Sequence, residues 1–338
     1  MRRGRAAVLA LALGLALGGC TAAAQEAAPA PRVAVAADVP VRIGSLTGPT
    51  TMGLVSLKAE ADAGTARHDY RVEVYGTADE VVPKLVQGDL DVAVIPANLA
   101  AVLSHRTGTD AGPGIQVAAI TTLGVLEVVE AGDTITSMAD LAGRTVYSMG
   151  KGTTPEYVLG HLLRANRLEP GVDVTVEYRS EAAEVAALLA GEPGAVGVLP
   201  QPFVTALRAQ NPDVRSALSL TEEWAAVSPD SALVTAVAVV RADFAAANPE
   251  LVADFLADLE ASIAFTNAHP AEAGELIAAA GIVPAAPIAE AAIPSCNLVF
   301  VDGQEMRDLL GGYLAVLAAA DPAAGGGSVP DDGFYLAP

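Results

Sequence analysis

The chain is poor in cysteine and in basic residues, and each shortage excludes a class of protein. Its 338 residues include two cysteines, Cys20 and Cys296, so a fold held together by several disulfides is excluded. The chain has 19 Lys and Arg residues against 40 Asp and Glu residues, which gives a formal net charge of −21. A chain this acidic is not expected to bind nucleic acid or anionic lipid through a basic patch.

Catalytic and metal-binding motifs are also lacking. The four histidines are far apart in the sequence, which contains no H-E-x-x-H motif, no Cys/His cluster and no G-x-S-x-G motif. Gly150-Lys151-Gly152 is not a Walker loop, because Thr145 occupies the position of that loop's first glycine. We therefore expect a protein without catalytic residues, metal ligands or cofactors.

The first 37 residues indicate export. Residues 1–5 are basic, residues 6–17 are apolar, and a cysteine follows the apolar run, which is typical of a signal peptide rather than of a membrane-spanning helix. Leu17-Gly18-Gly19-Cys20 resembles the bacterial lipobox, and this implies cleavage before Cys20, lipidation of Cys20 and attachment to the outer face of the cytoplasmic membrane. Residues 1–19 are then a lipoprotein signal peptide and residues 20–37 a flexible Ala/Pro tether. An ordinary secretory signal with an unrelated cysteine is the alternative.

From residue 38 the chain alternates between strands and helices. Val41–Leu46 and Tyr70–Tyr75 are predicted strands, residues 52–60 and Ala78–Gln87 are predicted helices, and residues 92–95 form a continuous apolar strand. Apolar strands that alternate with helices predict a parallel sheet covered by helices on both faces.

The same order of elements recurs in the second half. Residues 145–149 are a predicted strand followed by a glycine loop and a helix, and residues 172–178, 181–189 and 195–199 continue as strand, helix and strand. We therefore expect two similar α/β lobes. A ligand would bind beyond the carboxyl ends of their strands.

Two glycine- and threonine-containing turns lie at such strand ends, at residues 47–51 and 150–154. Glycines let the backbone approach a ligand, and the amides of a helix N-terminus point towards it. Either turn alone could equally be a surface connection between a strand and a helix.

The combination of elements and motifs resembles the solute-binding proteins of ABC importers, in the branch that binds nitrate, sulfonates, taurine and thiamine precursors. The motifs that carry this resemblance are Gly48-Pro49-Thr50, Gly150-Lys151-Gly152-Thr153-Thr154-Pro155-Glu156, Leu199-Pro200-Gln201-Pro202, Val240-Arg241-Ala242-Asp243-Phe244 and Asn248-Pro249-Glu250. The resemblance implies an α/β fold of the type II periplasmic-binding-protein kind, with two Rossmann-like lobes, two crossing strands and a ligand cleft between the lobes. Residues 38–124 and 236–338 would form lobe 1, with the C-terminal helices packed on it, and residues 125–235 would form lobe 2.

The family also implies a role in import rather than catalysis. We expect a monomer that captures a small polar or anionic solute, of the sulfonate or carboxylate type, and delivers it to an ABC permease with a cytoplasmic ATPase. A pyrimidine-type heterocycle is the alternative solute, and a sensor that presents its closed form to a receptor is an alternative role. Two enzymes share the fold, namely a pyrimidine synthase, whose additional Cys and His residues this chain does not show, and chorismate dehydratase. The lipobox argues against both.

The ligand contacts are predicted from their places at the strand ends. They are Ser45, Leu46, Thr47, Thr50, Thr51, Pro96, Ala97, Asn98, Thr121, Thr122, Gly150, Lys151, Gly152, Thr153, Thr154 and Gln201. Hydroxyls and backbone amides would donate hydrogen bonds, whereas Lys151 could equally be a surface residue. Four aromatic residues could contact an apolar part of the ligand or serve only in packing, namely Tyr75, Tyr147, Tyr157 and Trp224. Glu127 could accept a hydrogen bond from a ligand amine or lie in solvent.

Overall fold

A computed structural model describes residues 39–109 and 112–337. The predicted signal peptide, lipobox and tether, residues 1–37, lie outside this range. The chain from Val39 onward forms one compact unit. Within the described residues, no helix combines the length and the apolar character needed to cross a membrane.

Strands and helices alternate through most of the described residues. The strands are β1 (Val41–Leu46), β2 (Tyr70–Tyr75), β3 (Val92–Pro96), β4 (Ile115–Leu123), β5 (Leu126–Glu130), β6 (Thr145–Met149), β7 (Thr175–Arg179), β8 (Val196–Pro200), β9 (Arg215–Ser219), β10 (Val234–Arg241) and β11 (Leu298–Val301). The helices are α1 (Pro49–Met52), α2 (Val55–Ala63), α3 (Ala78–Gln87), α4 (Ala97–Thr107), α5 (Thr154–Ala165), α6 (Ala182–Gly191), α7 (Phe203–Gln210), α8 (Leu220–Val227), α9 (Ala242–Ala247), α10 (Pro249–Ala268), α11 (Pro270–Ala279), α12 (Ala286–Ala292) and α13 (Gly303–Ala320).

The described strands form two sheets with closely similar strand orders. The first sheet has the order β11-β4-β10-β3-β1-β2 and the second has the order β7-β6-β8-β5-β9. The chain passes from the first sheet to the second between β4 and β5 and returns before β10. The lobe boundaries predicted from sequence lie at or next to these passages and remain a prediction.

Neither sheet is purely parallel, so that expectation was wrong. Strands β1, β2 and β3 are parallel, but β10 runs antiparallel to both β3 and β4. In the second sheet β5 runs antiparallel to both β8 and β9. The reason is topological, because β5 and β10 are the strands through which the chain enters a sheet from the other one, and each therefore runs against its neighbours.

The hydrophobic core covers both faces of the first sheet. One face packs against α1, α2 and α10 to α12, in a cluster that includes Phe255 and Ile263. The other face packs against α3, α4 and α13, and its cluster continues through the second sheet to Val128 and Val198. A single apolar cluster therefore connects the two sheets.

Two local features differ from or add to the sequence predictions. The helix expected at residues 52–60 is divided into α1 and α2, and between them α10 crosses so closely at Gly53 that a Cβ there would lie 2.9 Å from Ile263 Cγ1. The C-terminal helices contact helices that flank each of the two sheets. Helices α10 and α11 pack on α2 beside the first sheet, whereas α12 contacts α7 and α13 contacts α5 beside the second. The family resemblance implies packing on the first lobe, and α12 and α13 also contact helices that flank the second sheet.

Candidate ligand-binding cleft

A cleft of about 620 Å³ lies between the carboxyl ends of the two sheets' parallel strands. Loops that follow β1, β2 and β3 form one wall, and loops that follow β6, β7 and β8 form the other. The lining residues are Leu46, Thr47, Pro49, Thr50, Gly76, Thr77, Ala78, Asp79, Pro96, Leu126, Met149, Gly150, Lys151, Thr153, Thr154, Pro155, Tyr178, Arg179, Ser180, Glu181, Ala182, Pro200, Phe203 and Thr235. Open α/β sheets commonly bind ligands at this edge.

The structure places the sequence-predicted contacts in two groups. Those that line the cleft are Leu46, Thr47, Thr50, Pro96, Gly150, Lys151, Thr153 and Thr154. Those that lie behind or beside it are Ser45, Thr51, Ala97, Asn98, Thr121, Thr122, Gly152 and Gln201.

The turn after β1 supplies hydroxyls that are already bonded to the backbone. Gly48, with a φ of 126°, turns the chain out of the strand, and this backbone conformation favours glycine. The Thr47 hydroxyl then donates to the Tyr75 carbonyl at 3.2 Å, and the Thr50 hydroxyl donates to the Leu46 carbonyl at 2.5 Å. In this arrangement the two threonines present oxygen lone pairs to the cleft rather than hydrogens.

The loop before α5 offers fewer donors than its sequence indicates. The Thr153 hydroxyl donates to the Gly150 carbonyl at 2.6 Å, and the Gly152 amide donates to a Glu156 carboxylate oxygen at 2.5 Å. Pro155, in the first turn of α5, has no N–H. The carboxylate of Glu156 also adds negative charge at this helix N-terminus, which weakens its attraction for an anion.

Asn98 joins the two walls instead of facing the cleft. Its side-chain amide donates to the Gly152 carbonyl at 3.3 Å and to the Ala324 carbonyl at 3.1 Å. Its carbonyl oxygen accepts from the Thr154 hydroxyl at 3.2 Å. One buried side chain from α4 therefore holds the loop before α5 and the C-terminal segment together.

Of the other predicted polar residues outside the cleft, some form hydrogen bonds within the protein and two have no hydrogen-bond partner among the described residues. Ser45 and Thr51 share a hydrogen bond of 2.8 Å behind the β1 turn. Gln201 donates to Glu127 Oε1 at 2.8 Å, so Glu127 is bonded to a protein amide rather than left in solvent. The hydroxyls of Thr121 and Thr122 are buried in β4, and neither has a hydrogen-bond partner among the described residues.

Charged side chains lie at the rim of the cleft, whereas its depth is neutral. Lys151 is exposed, with Nζ 5.9 Å from the centre of the Tyr178 ring, and no ion pair joins it to another described residue. Arg179, by contrast, is paired with Glu177 at 3.2 Å. Asp79 and Glu181 are exposed on the facing loops. The buried lining residues are Pro49, Thr50, Leu126, Met149, Thr154, Pro155 and Pro200.

The rim loops of the two walls approach each other. A Cβ added at Gly76 would lie 2.6 Å from Glu181 Oε1, so the turn after β2 and the turn after β7 are almost in contact. Behind this rim, burial and the nearby Glu156 carboxylate raise the pKa of Tyr178 above its ordinary value. The Tyr178 phenol therefore stays protonated over the physiological range, and the Glu156 carboxylate is its hydrogen-bond partner.

Sequence reasoning missed the turn after β2, the loop after β7 and single lining residues on other elements, among them Phe203 and Thr235. Tyr178 and Glu181 could have been found from position, because β7 occupies the place in its sheet that β2 occupies in the first. Phe203, at the start of α7, and Thr235, at the start of β10, had no such signal. The aromatic residues proposed from sequence do not line the cleft, and Trp224 is buried against Tyr313 with ring centres 5.3 Å apart.

No group of three or more His, Cys, Asp or Glu residues in the described part of the chain is arranged to hold a metal ion. The expectation of a protein without metal or cofactor remains a prediction.

Comparison with known families gives one match over most of the chain. A family model described as "ABC transporter, phosphonate, periplasmic substrate-binding protein" matches residues 65–292. No curated protein matches the sequence.

Solved structures of similar fold include three whose descriptions name a transport or binding role. An ABC transporter from Parabacteroides distasonis is 21% identical, with 89% of this chain and 99% of that chain covered and a TM-score of 0.71. The periplasmic aliphatic sulphonate binding protein SsuA from Escherichia coli is 16% identical, with 83% and 87% covered and a TM-score of 0.64. The periplasmic nitrate-binding protein NrtA from Synechocystis PCC 6803 is 16% identical, with 79% and 74% covered and a TM-score of 0.60. At these identities the likeness is one of fold.

Proposed function

Since the chain belongs to the family of periplasmic substrate-binding proteins of phosphonate ABC transporters, we propose that its cleft captures a small organic anion of the sulfonate, carboxylate or phosphonate type. The protein is the extracytoplasmic binding component of an ABC import system, with a small-molecule ligand, a permease and an ATPase as partners. Its fold is the type II periplasmic-binding-protein fold, as predicted. The choice of an organic anion is the proposal.

The observation that carries this choice is the position of Lys151. It supplies the cleft wall with a cation that has no ion-pair partner among the described residues, and the Tyr178 ring lies beside it. An anionic head group at this place would receive a charge-assisted hydrogen bond from the ammonium group. The apolar side chains of Leu46, Met149 and Phe203 would then contact the organic part. A volume of about 620 Å³ suits a small solute of this kind.

A thermal-shift panel tests the solute class. We expect short alkanesulfonates, alkylphosphonates and carboxylates to raise the unfolding temperature, because a ligand that binds only the folded protein stabilises it. Stabilisation by neutral heterocycles alone would overturn the proposal. Native mass spectrometry of protein purified without added solute would identify a retained ligand.

The Lys151→Gln variant tests the anion contact. It should bind the best anion of that panel about 10- to 100-fold more weakly, since hydrogen bonds to charged groups contribute about 1.5–3 kcal/mol. Lys58→Gln is the matched control, because Lys58 lies on α2 and pairs with Asp62 outside the cleft. Equal affinities of the Lys151→Gln variant and the unchanged protein would remove Lys151 from the site.

A pyrimidine-type heterocycle is the second candidate, because two aromatic residues line the cleft. Tyr178 and Phe203 both belong to the wall formed after β7 and β8. Phe203 reaches towards the facing wall, where its ring lies 3.5 Å from a Cβ built at Gly48. A flat ring could lie against either side chain. The same thermal-shift panel, with aminopyrimidines included, separates this candidate from the anion.

Ligand capture is proposed to close the two lobes, with residues 38–124 and 236–338 on one side and residues 125–235 on the other. A solute that contacts both walls favours the closed form only through contacts that the open form lacks. We expect the protein to act in this way as a monomer and to catalyse no reaction.

We also propose that Cys20 carries a lipid that anchors the mature protein. A Cys20→Ser variant should no longer incorporate a labelled fatty acid and should leave the membrane fraction. Cys296→Ala is the control, because Cys296 is buried and cannot be lipidated in the folded protein. Unchanged labelling of the Cys20→Ser variant would contradict the proposed anchor.

A further inference from the structure

Thr235 lines the cleft and has a hydroxyl that no group in the described part of the chain uses. It lies at the start of β10, where the chain returns from the second sheet to the first. Its backbone carbonyl oxygen lies 3.5 Å from the Thr154 hydroxyl oxygen, so its backbone is placed against the loop before α5. Its Oγ1 atom is buried and has no hydrogen-bond partner among the described residues.

The other threonines deep in the cleft differ from Thr235 in this respect. Thr47, Thr50 and Thr153 donate to backbone carbonyls, and Thr154 donates to the Asn98 side chain. Two further hydroxyl residues line the rim, where Thr77 caps α3 and Ser180 is exposed. Thr235 is therefore the threonine in the depth of the described cleft whose hydrogen remains available.

A buried hydroxyl without a partner is unfavourable and marks a place where a ligand or water can bond. The charged lining residues, such as Lys151, Asp79 and Glu181, lie at the rim, and the buried lining around Leu126, Met149 and Pro200 is neutral. A charged group placed at that depth would lose its hydration without gaining an ion pair. The partner of Thr235 is thus expected to be polar and uncharged.

We propose that Thr235 Oγ1 donates a hydrogen bond to an uncharged acceptor at the buried end of the solute, and that Thr235 thereby determines specificity. This inference rests on the proposed function, with the anionic head at Lys151. The preferred solute is then a bifunctional organic anion that carries a hydroxyl or carbonyl oxygen at its other end. A hydroxyl fits well, because it can accept from Thr235 and donate to one of the threonine lone pairs nearby.

Two probes of similar size test the inference, namely 2-hydroxyethanesulfonate and propane-1-sulfonate. Calorimetric titration should show that the unchanged protein binds the hydroxylated probe about tenfold more tightly, a ratio typical of one buried hydrogen bond. In the Thr235→Val variant the ratio should fall to about one, and in Thr235→Ser it should be retained. Thr121→Val is the matched control, because it removes a buried, unpartnered hydroxyl that does not line the cleft. A Thr235→Val variant that keeps the ratio of the unchanged protein would overturn the inference, as would an equal loss in Thr121→Val.

A measurement without ligand separates this inference from the proposed function. If the unchanged protein binds neither sulfonate, the proposed sulfonate class fails, and the unfolding temperature of the ligand-free variants decides the role of Thr235. An unchanged or higher unfolding temperature in Thr235→Val supports the inference that the Thr235 hydroxyl forms no hydrogen bond within the ligand-free protein. A fall as large as that of Thr51→Val, whose hydroxyl donates to the Leu46 carbonyl at 2.6 Å, would show that the protein itself uses the Thr235 hydroxyl and would overturn the inference.

Discussion

At the scale of single residues, the donors that the cleft can offer to a ligand are those whose hydrogens do not already bond to the protein. Thr50 and Thr153 are bonded to carbonyls of their own turns, whereas the Thr235 hydroxyl and the Lys151 ammonium group are available. The sequence indicated the right loops, because glycines and threonines follow apolar strands there. It could not indicate the direction of each hydroxyl, since that depends on carbonyls brought close by the folded turn.

Asn98 is the residue whose removal should destabilise the protein most clearly near the cleft. In Asn98→Ala the Thr154 hydroxyl and the Gly152 and Ala324 carbonyls lose their partner. We expect a loss of about 1–3 kcal/mol in the free energy of unfolding, measured by urea denaturation.

The control for Asn98 is Asn211→Ala. The Asn211 side chain donates to the Ala190 carbonyl at 3.4 Å and accepts from the Asp213 amide at 3.1 Å, and both hydrogen bonds are exposed, so its loss should change stability by less than about 0.5 kcal/mol. Equal effects of the two substitutions would mean that Asn98 does not hold the walls together.

Glu130 should make the stability of the protein depend on pH. Burial acts to raise its pKa, but hydrogen bonds from Thr134 and Ile135 and the charge of Arg215 outweigh burial, so the pKa of Glu130 is lowered. A carboxylate whose folded pKa is lowered stabilises the protein above its unfolded pKa, and this contribution is lost as the pH falls through the folded pKa. In Glu130→Gln the free energy of unfolding at pH 7 should fall by about 1–3 kcal/mol.

The difference between Glu130→Gln and the unchanged protein should shrink as the pH is lowered below about 4, close to the pKa of a free glutamate. Unfolding in urea at several pH values measures it. A difference that is constant from pH 7 to pH 3 would contradict the assignment of this effect to the Glu130 charge.

At the scale of elements, the turn before α5 shows how a glycine can be required for two reasons. Gly150 has a φ of 68°, and a Cβ there would lie 2.5 Å from Thr153 Oγ1. Gly171 has a similar φ of 79°, with nothing within 4 Å of an added Cβ. The pair separates the effect of backbone conformation from that of crowding.

Gly171→Ala should therefore cost about 1–2 kcal/mol, the penalty of a left-handed conformation alone. Gly150→Ala should cost more and should also weaken solute binding, because Thr153 must move away from the Gly150 carbonyl. Chemical denaturation and ligand titration of both variants measure the two effects. If the variants were equally stable and bound equally well, the crowding at Gly150 would have no consequence.

The strands were more predictable than their directions. Continuous apolar runs such as residues 92–95 indicated buried strands, and their positions agree with the structure. The antiparallel course of β5 and β10 depends on partners that are distant in the sequence. The partner β8 lies more than 60 residues from β5, and the partner β3 lies more than 100 residues from β10. No local sequence pattern contains that information. The contact of α12 with α7 and of α13 with α5 was hidden for the same reason.

At the scale of the whole molecule, the two sheets share one apolar cluster that includes residues of α13. Tyr313 on that helix is fully buried, packs against Trp224 of α8 and lies 3.5 Å from the Thr154 hydroxyl. We expect thermal unfolding to be a single cooperative transition in calorimetry, because neither sheet can lose this core without exposing the other's. Two separated transitions in the unchanged protein would contradict this expectation.

Tyr313→Ala should lower the unfolding temperature strongly, since truncation of a buried aromatic side chain costs about 3–5 kcal/mol. Tyr313→Phe keeps the ring and is the control. Because Trp224 is the only tryptophan in the sequence, its fluorescence should also shift in Tyr313→Ala and report the loosened contact.

The course of the chain through the two sheets also sets an order of assembly during synthesis and export. The second sheet is built from one continuous stretch, β5 to β9, whereas the first sheet needs β10 and β11, which follow that entire stretch. As the chain emerges with its N-terminus first, β1 to β4 must wait while the second sheet's strands appear and pair. The half of the protein that emerges first is therefore the half that is completed last, and until β10 and β11 appear its unpaired strand edges can pair with other chains.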